Sequence, residues 1–320
     1  MKTNRPLLLF AIMALLLPIS ASAAVTVENV TAKQRYPWNG KVDVSYTIVG
    51  DAADLELIDS IKISAKDCDT GISYVATSLF GDVSMVSGTH AVIWDAQADL
   101  GEVRYTNMIV SVNVRATGQL WENGPVWAET NIGAENPWDY GYYFWWGDTV
   151  GYKREGDAWV ASDGSSQSFS FSSDNTPTYG KNNDALLSEG WITADGVLAP
   201  THDAAQAHWG GSWRMPTDAE LSALRSNCDW TWTTTNGVSG YVVRGRDDFE
   251  DASIFLPVTG RGNRTSLSLA GTYGDYWSSV PYSSYSGDAE CLDFNSGYRM
   301  TLDRSRDYGF SVRPVQGFAE

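Results

Sequence analysis

Hydrophobic residues follow two different patterns along this chain, and the change between them comes near residue 117. In Val42-Asp43-Val44-Ser45-Tyr46-Thr47-Ile48, apolar and polar side chains alternate, which predicts a strand with one buried and one wet face. Met108-Ile109-Val110-Ser111-Val112-Asn113-Val114 repeats the alternation. Residues 61–65, 73–77 and 91–94 are shorter strand candidates, and Asp67-Cys68-Asp69-Thr70-Gly71 and Ser87-Gly88 carry turn chemistry. Short strands with regular turns predict a β-sandwich of about seven strands over residues 24–117.

Beyond Thr117 the aromatic residues thicken: 12 of the 14 tryptophans lie there, among frequent Gly, Ser, Asn and Asp turns. Met215-Pro216-Thr217-Asp218-Ala219-Glu220 predicts a helix start, with Thr217 as N-cap and Glu220 closing a capping box. Leu221 and Leu224 then share one face, and Asn227 can end the helix. A second short helix is predicted over residues 203–208. Strand-like pieces at 230–234 and 241–244 flank Asn236-Gly237, a hairpin signal. Further strands are expected at 253–258, 276–279, 289–294 and 309–314. Residues 153–181 hold few aliphatic side chains and read as a long surface excursion or irregular insertion. The sum is an α+β pattern over residues 118–320.

The same region carries a family likeness. Trp127-Ala128-Glu129-Thr130-Asn131-Ile132-Gly133-Ala134 is followed by Asp139-Tyr140-Gly141-Tyr142-Tyr143-Phe144 and Trp146-Gly147-Asp148-Thr149. Trp209-Gly210-Gly211-Ser212-Trp213-Arg214-Met215-Pro216-Thr217, Ser253-Ile254-Phe255-Leu256-Pro257, Tyr276-Trp277-Ser278-Ser279 and Gly309-Phe310-Ser311-Val312-Arg313-Pro314-Val315 come after it. In that order they resemble the Fibrobacter succinogenes major paralogous (FISUMP) domain. The resemblance implies a C-type-lectin-like fold related to that of the formylglycine-generating sulfatase-modifying factors. It also implies an exported bacterial protein, and it carries no established activity. Gly88-Thr89-His90, Val92 and Trp94-Asp95 in the first region resemble bacterial immunoglobulin-like or fibronectin-like modules.

The motifs also have a physical reading of their own. Trp209, Trp213 and Trp277 stand next to glycines or small residues and suggest rings packed on close backbone turns. Arg214 and Arg313 sit between apolar residues, which predicts paired, partly buried cations.

The first 23 residues read as a cleaved export signal. Lys2 and Arg5 precede an apolar run over residues 7–17, Pro18 breaks it, and Ala21-Ser22-Ala23 offers a small-x-small cleavage site. The run is shorter than the roughly 20 residues that span a bilayer, so no membrane insertion is expected once it is removed. The expected location is secreted, periplasmic or cell-surface. Formal charge is -17, and loss of Lys2 and Arg5 makes it -19. With no basic stripe to offset it, such a surface argues against nucleic acid as a partner.

Chemical signatures are sparse. Of three cysteines, Cys228 and Cys291 could pair in an oxidising compartment and leave Cys68 free. The cysteine pair of the related oxidases has one counterpart here, Cys291. His202 and His208 are six apart, not the i, i+4 spacing of a helical zinc site. No nucleophile elbow, phosphate loop or dinucleotide fingerprint occurs. The Glu-Pro-Asn, Gln-Pro-Asp and Trp-Asn-Asp motifs of calcium-dependent lectins are missing. Asp247-Asp248-Phe249-Glu250-Asp251 has oxygen ligands without EF-hand spacing and reads as an acidic turn. No cofactor, metal or catalytic residue is expected.

Residues 280–308 are the richest in recognition chemistry. Ala289, Cys291 and Phe294 are expected to look inward, and Arg299 and Met300 outward. Tyr282, Tyr285, Tyr298, Arg304, Arg306 and Tyr308 are the candidate ligand-binding residues, because Tyr and Arg give broad contact and directed donors. A plain solvated hairpin is the alternative reading of this segment. The function expected is non-catalytic binding of an extracellular glycan or protein. A scaffold role in an envelope assembly stands second and an enzyme of unknown type third. A binder calls for one exposed aromatic patch over 280–308, a scaffold for apolar surface on both halves, and an enzyme for a cleft of convergent titratable groups.

Overall fold

The computed structural model describes residues 25–317, except 36–38, 51, 57, 102–106 and 166–168. The export signal lies outside the described residues. The chain is mostly β-structure, and among the described residues no helix is long and apolar enough to cross a membrane.

Among the described residues of the first half there are seven strands: β1 (Val25–Gln34), β2 (Lys41–Gly50), β3 (Ile58–Asp67), β4 (Ser73–Val75), β5 (Leu79–Gly81), β6 (Gly88–Asp95) and β7 (Met108–Ala116). Short helices α1 (Ala52–Leu55) and α2 (Ala96–Leu100) join them. Antiparallel sheets of order β1-β2-β6-β5 and β4-β3-β7 share one apolar cluster. Val44, Tyr46 and Ile48 of β2 and Val92 and Trp94 of β6 meet Ile63 and Ala65 of β3 and Val112 of β7. These are the buried members of alternating strands, so the pleat delivers each apolar set to the interior. Strand β1 has only two apolar positions in its last seven residues and gave no alternation to read.

The second half contains β8 (Val126–Trp127), β9 (Tyr152–Glu155), β10 (Ala158–Ala161), α3 (Asn183–Ser188), α4 (Ala204–Trp209), β11 (Trp213–Arg214) and α5 (Asp218–Asn227). It continues with β12 (Asp229–Thr235), β13 (Val238–Arg244), β14 (Ser253–Pro257), β15 (Arg261–Asn263) and β16 (Ser266–Ser268). The last strands are β17 (Gly274–Pro281), β18 (Asp288–Asn295), β19 (Tyr298–Ser305) and β20 (Val315–Gln316). Helix α5 begins with the expected capping box: Thr217 Oγ1 accepts from the Glu220 amide at 3.1 Å, and the Thr217 amide donates back to Glu220 at 2.8 Å. The β12–β13 hairpin turns at Asn236 and Gly237, both with positive φ, as a primed turn requires. Residues 309–314 do not make the expected strand. They form single bridges at Gly309, Phe310 and Ser311, and the strand proper starts at Val315.

The described residues of 153–181 are irregular outside one hairpin, as an insertion would be, but they are not all surface. Hairpin β9–β10 buries Trp159, and Phe171 is buried with it. Tyr143, Trp145, Tyr152, Trp159, Phe169 and Phe171 build a separate aromatic core, with Tyr152 and Phe169 stacked at 3.6 Å. The segment is poor in aliphatics because rings do its packing. The Phe171 ring lies on Gly262 and Gly309, whose backbones bond to each other. A Cβ on either glycine would come within 2.3 Å of the ring.

The expected ring packing holds for Trp277, which is fully buried and stacked on Phe310 at 4.0 Å. It fails for Trp209, which is exposed and meets the half-buried Trp213 edge-on. Arg214 is ion-paired, to Glu220. Arg313 is not. It is buried, and its guanidinium donates to Asn131 Oδ1 and to the carbonyls of Ala128, Glu129 and Phe255 at 2.8–3.0 Å. Backbone dipoles replace the carboxylate, and burial lowers its pKa to about 10.

Cys228 and Cys291 are unpaired and buried in different clusters, Cys228 with Leu221 and Leu224, Cys291 with Trp277 and Phe310. Cys68 is free and exposed. The acidic turn at 247–251 is tied to the first half. Lys62 binds Asp248, and Arg115 binds Asp251 at 2.6 Å and lies over the Phe249 ring.

Candidate recognition face around Asp293

Strands β17, β18 and β19 form an antiparallel sheet with β18 in the middle. Each face of it goes to a different core. Tyr276, Leu292 and Phe294 join Leu221 and Leu224 of α5, while Trp277, Ala289 and Cys291 join Trp146, Phe310 and residues of α3 and α4. Consequently β18 is buried on both sides, and Phe294 looks inward on the face opposite Ala289 and Cys291.

Two aspartates sit in this apolar strand pair. Asp275 of β17 is directly opposite Asp293 of β18, on the face of Cys291, and neither is exposed. Arg261 reaches both, at 3.1 Å to Asp275 and 3.6 Å to Asp293. Arg304 donates to Asp293 at 2.7 Å and the Tyr298 hydroxyl donates to it at 2.5 Å. Tyr308 lies under Arg261 and stacks with Phe310. Burial, opposed by Arg261 and reinforced by the Asp293 charge, pushes Asp275 up to about 7. The Arg304 guanidinium is disfavoured by burial, but its hydrogen bond to Asp293 outweighs that and raises its pKa. Tyr298 is raised first by burial and then by the Asp293 carboxylate it donates to. Burial also raises Cys291 well above an ordinary thiol. The arrangement is a neutralised ionic hub that fixes the rotamers of the side chains around it.

The six candidate residues therefore part company. Tyr298, Arg304 and Tyr308 converge on the hub, and all three are half-buried. Met300 stands on the same face as Asp293 and is 48% exposed. Arg299 points to the other face, over the Trp230 ring. Tyr285 is 55% exposed and belongs to a separate spot, where its hydroxyl meets that of Tyr179 above Gly287. Tyr282 is half-buried, with its amide on the Asp288 carbonyl.

Arg306 does not face outward. It is fully buried, lies 4.6 Å from the Trp146 ring centroid, and donates to the carbonyls of Asp288, Thr178 and Lys181. The chain turns away from β19 at Ser305, so strand alternation no longer governs residue 306. Burial lowers its pKa to about 10.

Sequence reading passed over Asp275, Asp293 and Arg261. A signal for the aspartates was present: Asp275 precedes Tyr276-Trp277 and Asp293 stands between Leu292 and Phe294, and acids buried among such neighbours require partners. The partner Arg261 comes from a distant hairpin and carried no local mark. Among the described residues no group of three or more His, Cys, Asp or Glu side chains could hold a metal ion. A cavity of about 650 Å³ lies where the halves meet, between β1, β3 and β7 and the turns bearing Gln119, Glu122 and Phe249. A smaller cleft of about 400 Å³ is lined by Trp138, Tyr140 and Lys153.

No family model matches the chain, and neither a curated protein nor a solved structure matches it.

Proposed function

We propose that this is an exported, non-catalytic recognition protein, an immunoglobulin-like sandwich followed by a FISUMP-like domain of C-type-lectin-like fold. Its ligand is an extracellular glycan or protein. The observation that carries this reading is the hub itself: Tyr298 and Arg304 are pinned on Asp293 with their outer parts still accessible, beside exposed Met300. Side chains held in place before contact lose less entropy on binding, and Tyr and Arg are the types that dominate interfaces. Catalysis by Asp275 and Asp293 has less support, because a substrate would have to displace Arg304 and Tyr298 to reach carboxyls with no exposed surface. The test is an array of glycans and purified surface proteins, probed with the mature chain. A ligand whose affinity falls at least about tenfold in Met300→Ala and Arg304→Ala, with the fold intact, supports the reading. Full affinity in both variants overturns it. N-terminal sequencing of protein from its native host is expected to begin at Ala24.

A scaffold role has its own support. Val49, Ile72, Val75, Phe80, Val86 and Ile109 are exposed in the first half, and Val160, Leu187, Trp209 and Leu269 in the second, so apolar surface is spread over both. Apolar surface of this kind suits a contact in a larger assembly.

A further inference from the structure

Trp138 stands apart from every other described tryptophan. The others each join a core cluster, a ring pair or a hydrogen bond; Trp138 does none of these, although it is half-buried. It lines the cleft of about 400 Å³ together with Tyr140 and Leu267, over a floor made by the buried Tyr143. The floor is fixed, since the Tyr143 hydroxyl donates to the Thr259 carbonyl at 2.6 Å. Around the rim stand Glu135, Asp139, Lys153 and Arg154. Their hydrogen-bonding capacity is unevenly used. Arg154 is engaged with the Thr265 carbonyl at 2.7 Å, and Asp139 accepts two bonds from Asn136 on Oδ2, which leaves Oδ1 open. Glu135 has no ion-pair or side-chain hydrogen-bond partner among the described residues, and the Lys153 ammonium lies over the Tyr142 ring without a carboxylate.

We infer that this cleft is a saccharide-binding subsite that takes one or two rings of a neutral oligosaccharide, with a pyranose face on Trp138. The volume is at the lower end for small-ligand sites, of about 300–1,000 Å³. An aromatic face is electron-rich, so it attracts the weakly positive C–H face of a pyranose. Sugar hydroxyls both donate and accept, so they satisfy Glu135, the open oxygen of Asp139 and the Lys153 ammonium together. A hydrocarbon ligand would strip water from those charges and return nothing. Two acids and two bases on the rim give no net preference for a charged sugar, and the -17 chain repels polyanions. The inference is separate from the hub, and it stands or falls on different residues.

The test is calorimetric and fluorescence titration of the mature chain with hexasaccharides of glucose, mannose, galactose, xylose and N-acetylglucosamine. At least one is expected to bind with Kd of about 1 mM or tighter. Trp138→Ala is expected to weaken that binding at least about tenfold, Trp138→Phe to restore most of it, and Glu135→Gln to weaken it several-fold. Trp209→Ala, which removes an exposed ring outside the cleft, is expected to change nothing. Because Trp138 belongs to none of the core clusters, its variants are expected to keep the fold, which circular dichroism checks. Failure of all five sugars to bind, or equal binding by Trp138→Ala, overturns the inference. Loss in Trp138→Ala with Met300→Ala unaffected separates this subsite from the face around Asp293.

Discussion

Asp275 and Asp293 face each other across paired strands with no exposed surface, and one guanidinium, Arg261, bridges them. Burial holds Asp275 at about 7 in the folded chain, above the ordinary aspartate value of 3.8. Between those limits the folded state binds the proton and the unfolded state has lost it. Unfolding then releases a proton, so this group makes stability fall as pH rises from about 4 to about 7, and no further above that. The slope from one such group is at most about 1.4 kcal/mol per pH unit. Asp275→Asn keeps a neutral side chain of the same shape and is expected to remove that decline. Urea unfolding of both proteins across pH 4–8 checks it, and parallel stability curves would refute the raised pKa of Asp275. Glu220 works in the opposite sense. Burial opposes its charge, but the Arg214 hydrogen bonds outweigh that and lower its pKa, so its contribution fades as pH falls below the usual carboxylate range.

Arg306 and Tyr285 are expected to behave as opposites, although both looked like recognition residues in the sequence. Arg306→Ala orphans three buried carbonyl acceptors and empties a space against Trp146, which should destabilise by about 3 kcal/mol or more. Tyr285→Ala removes an exposed ring and should change stability by no more than about 0.5 kcal/mol. Thermal melts of the two variants decide it. A stable Arg306→Ala would mean that its cage is dispensable.

How far the sequence could be read depended on how local the determinants were. The Thr217–Glu220 capping box and the Asn236-Gly237 turn are set by neighbours in the chain, and both are present. The alternation of β2 and β7 located those strands for the same reason. Arg306 was misread because its partners Thr178 and Lys181 lie more than a hundred residues away. The buried rings Trp159 and Phe171 in the irregular stretch 153–181 were not legible because their core is aromatic and closes on glycines at 262 and 309. The cleft beside Trp138 draws on Val238 and Leu267, which no periodicity connects to it.

Thiol chemistry gives a direct reading of the two cores. Burial pushes Cys228 up to about 12 and Cys291 well above the usual thiol range, so neither is available as thiolate. An aromatic disulfide reagent should titrate one thiol, Cys68, in the native protein and three after denaturation. A count of one after denaturation would reveal a Cys228–Cys291 bridge.

The last prediction concerns the boundary near residue 117. The cluster of the first half takes no buried member after Val112, and the clusters of the second half take none before Leu120. What crosses the boundary is mainly surface: the Lys62 and Arg115 contacts to the 248–251 turn, which are largely exposed on the acidic side. Exposed ion pairs contribute about 0–1 kcal/mol each, far less than a shared core would. A fragment beginning at Gly118 is therefore expected to fold by itself, with its twelve tryptophans emitting as they do in the intact chain. Its melting temperature should lie within a few degrees of the intact protein's second-half transition, lowered by the loss of the Arg115 contacts. Salt should narrow that gap, because screening weakens the same contacts in the intact chain. If the fragment is insoluble, or its tryptophan emission shifts to that of the unfolded chain, the halves depend on each other for folding. The cavity of about 650 Å³ between them would then be part of a common architecture and not the seam of two modules.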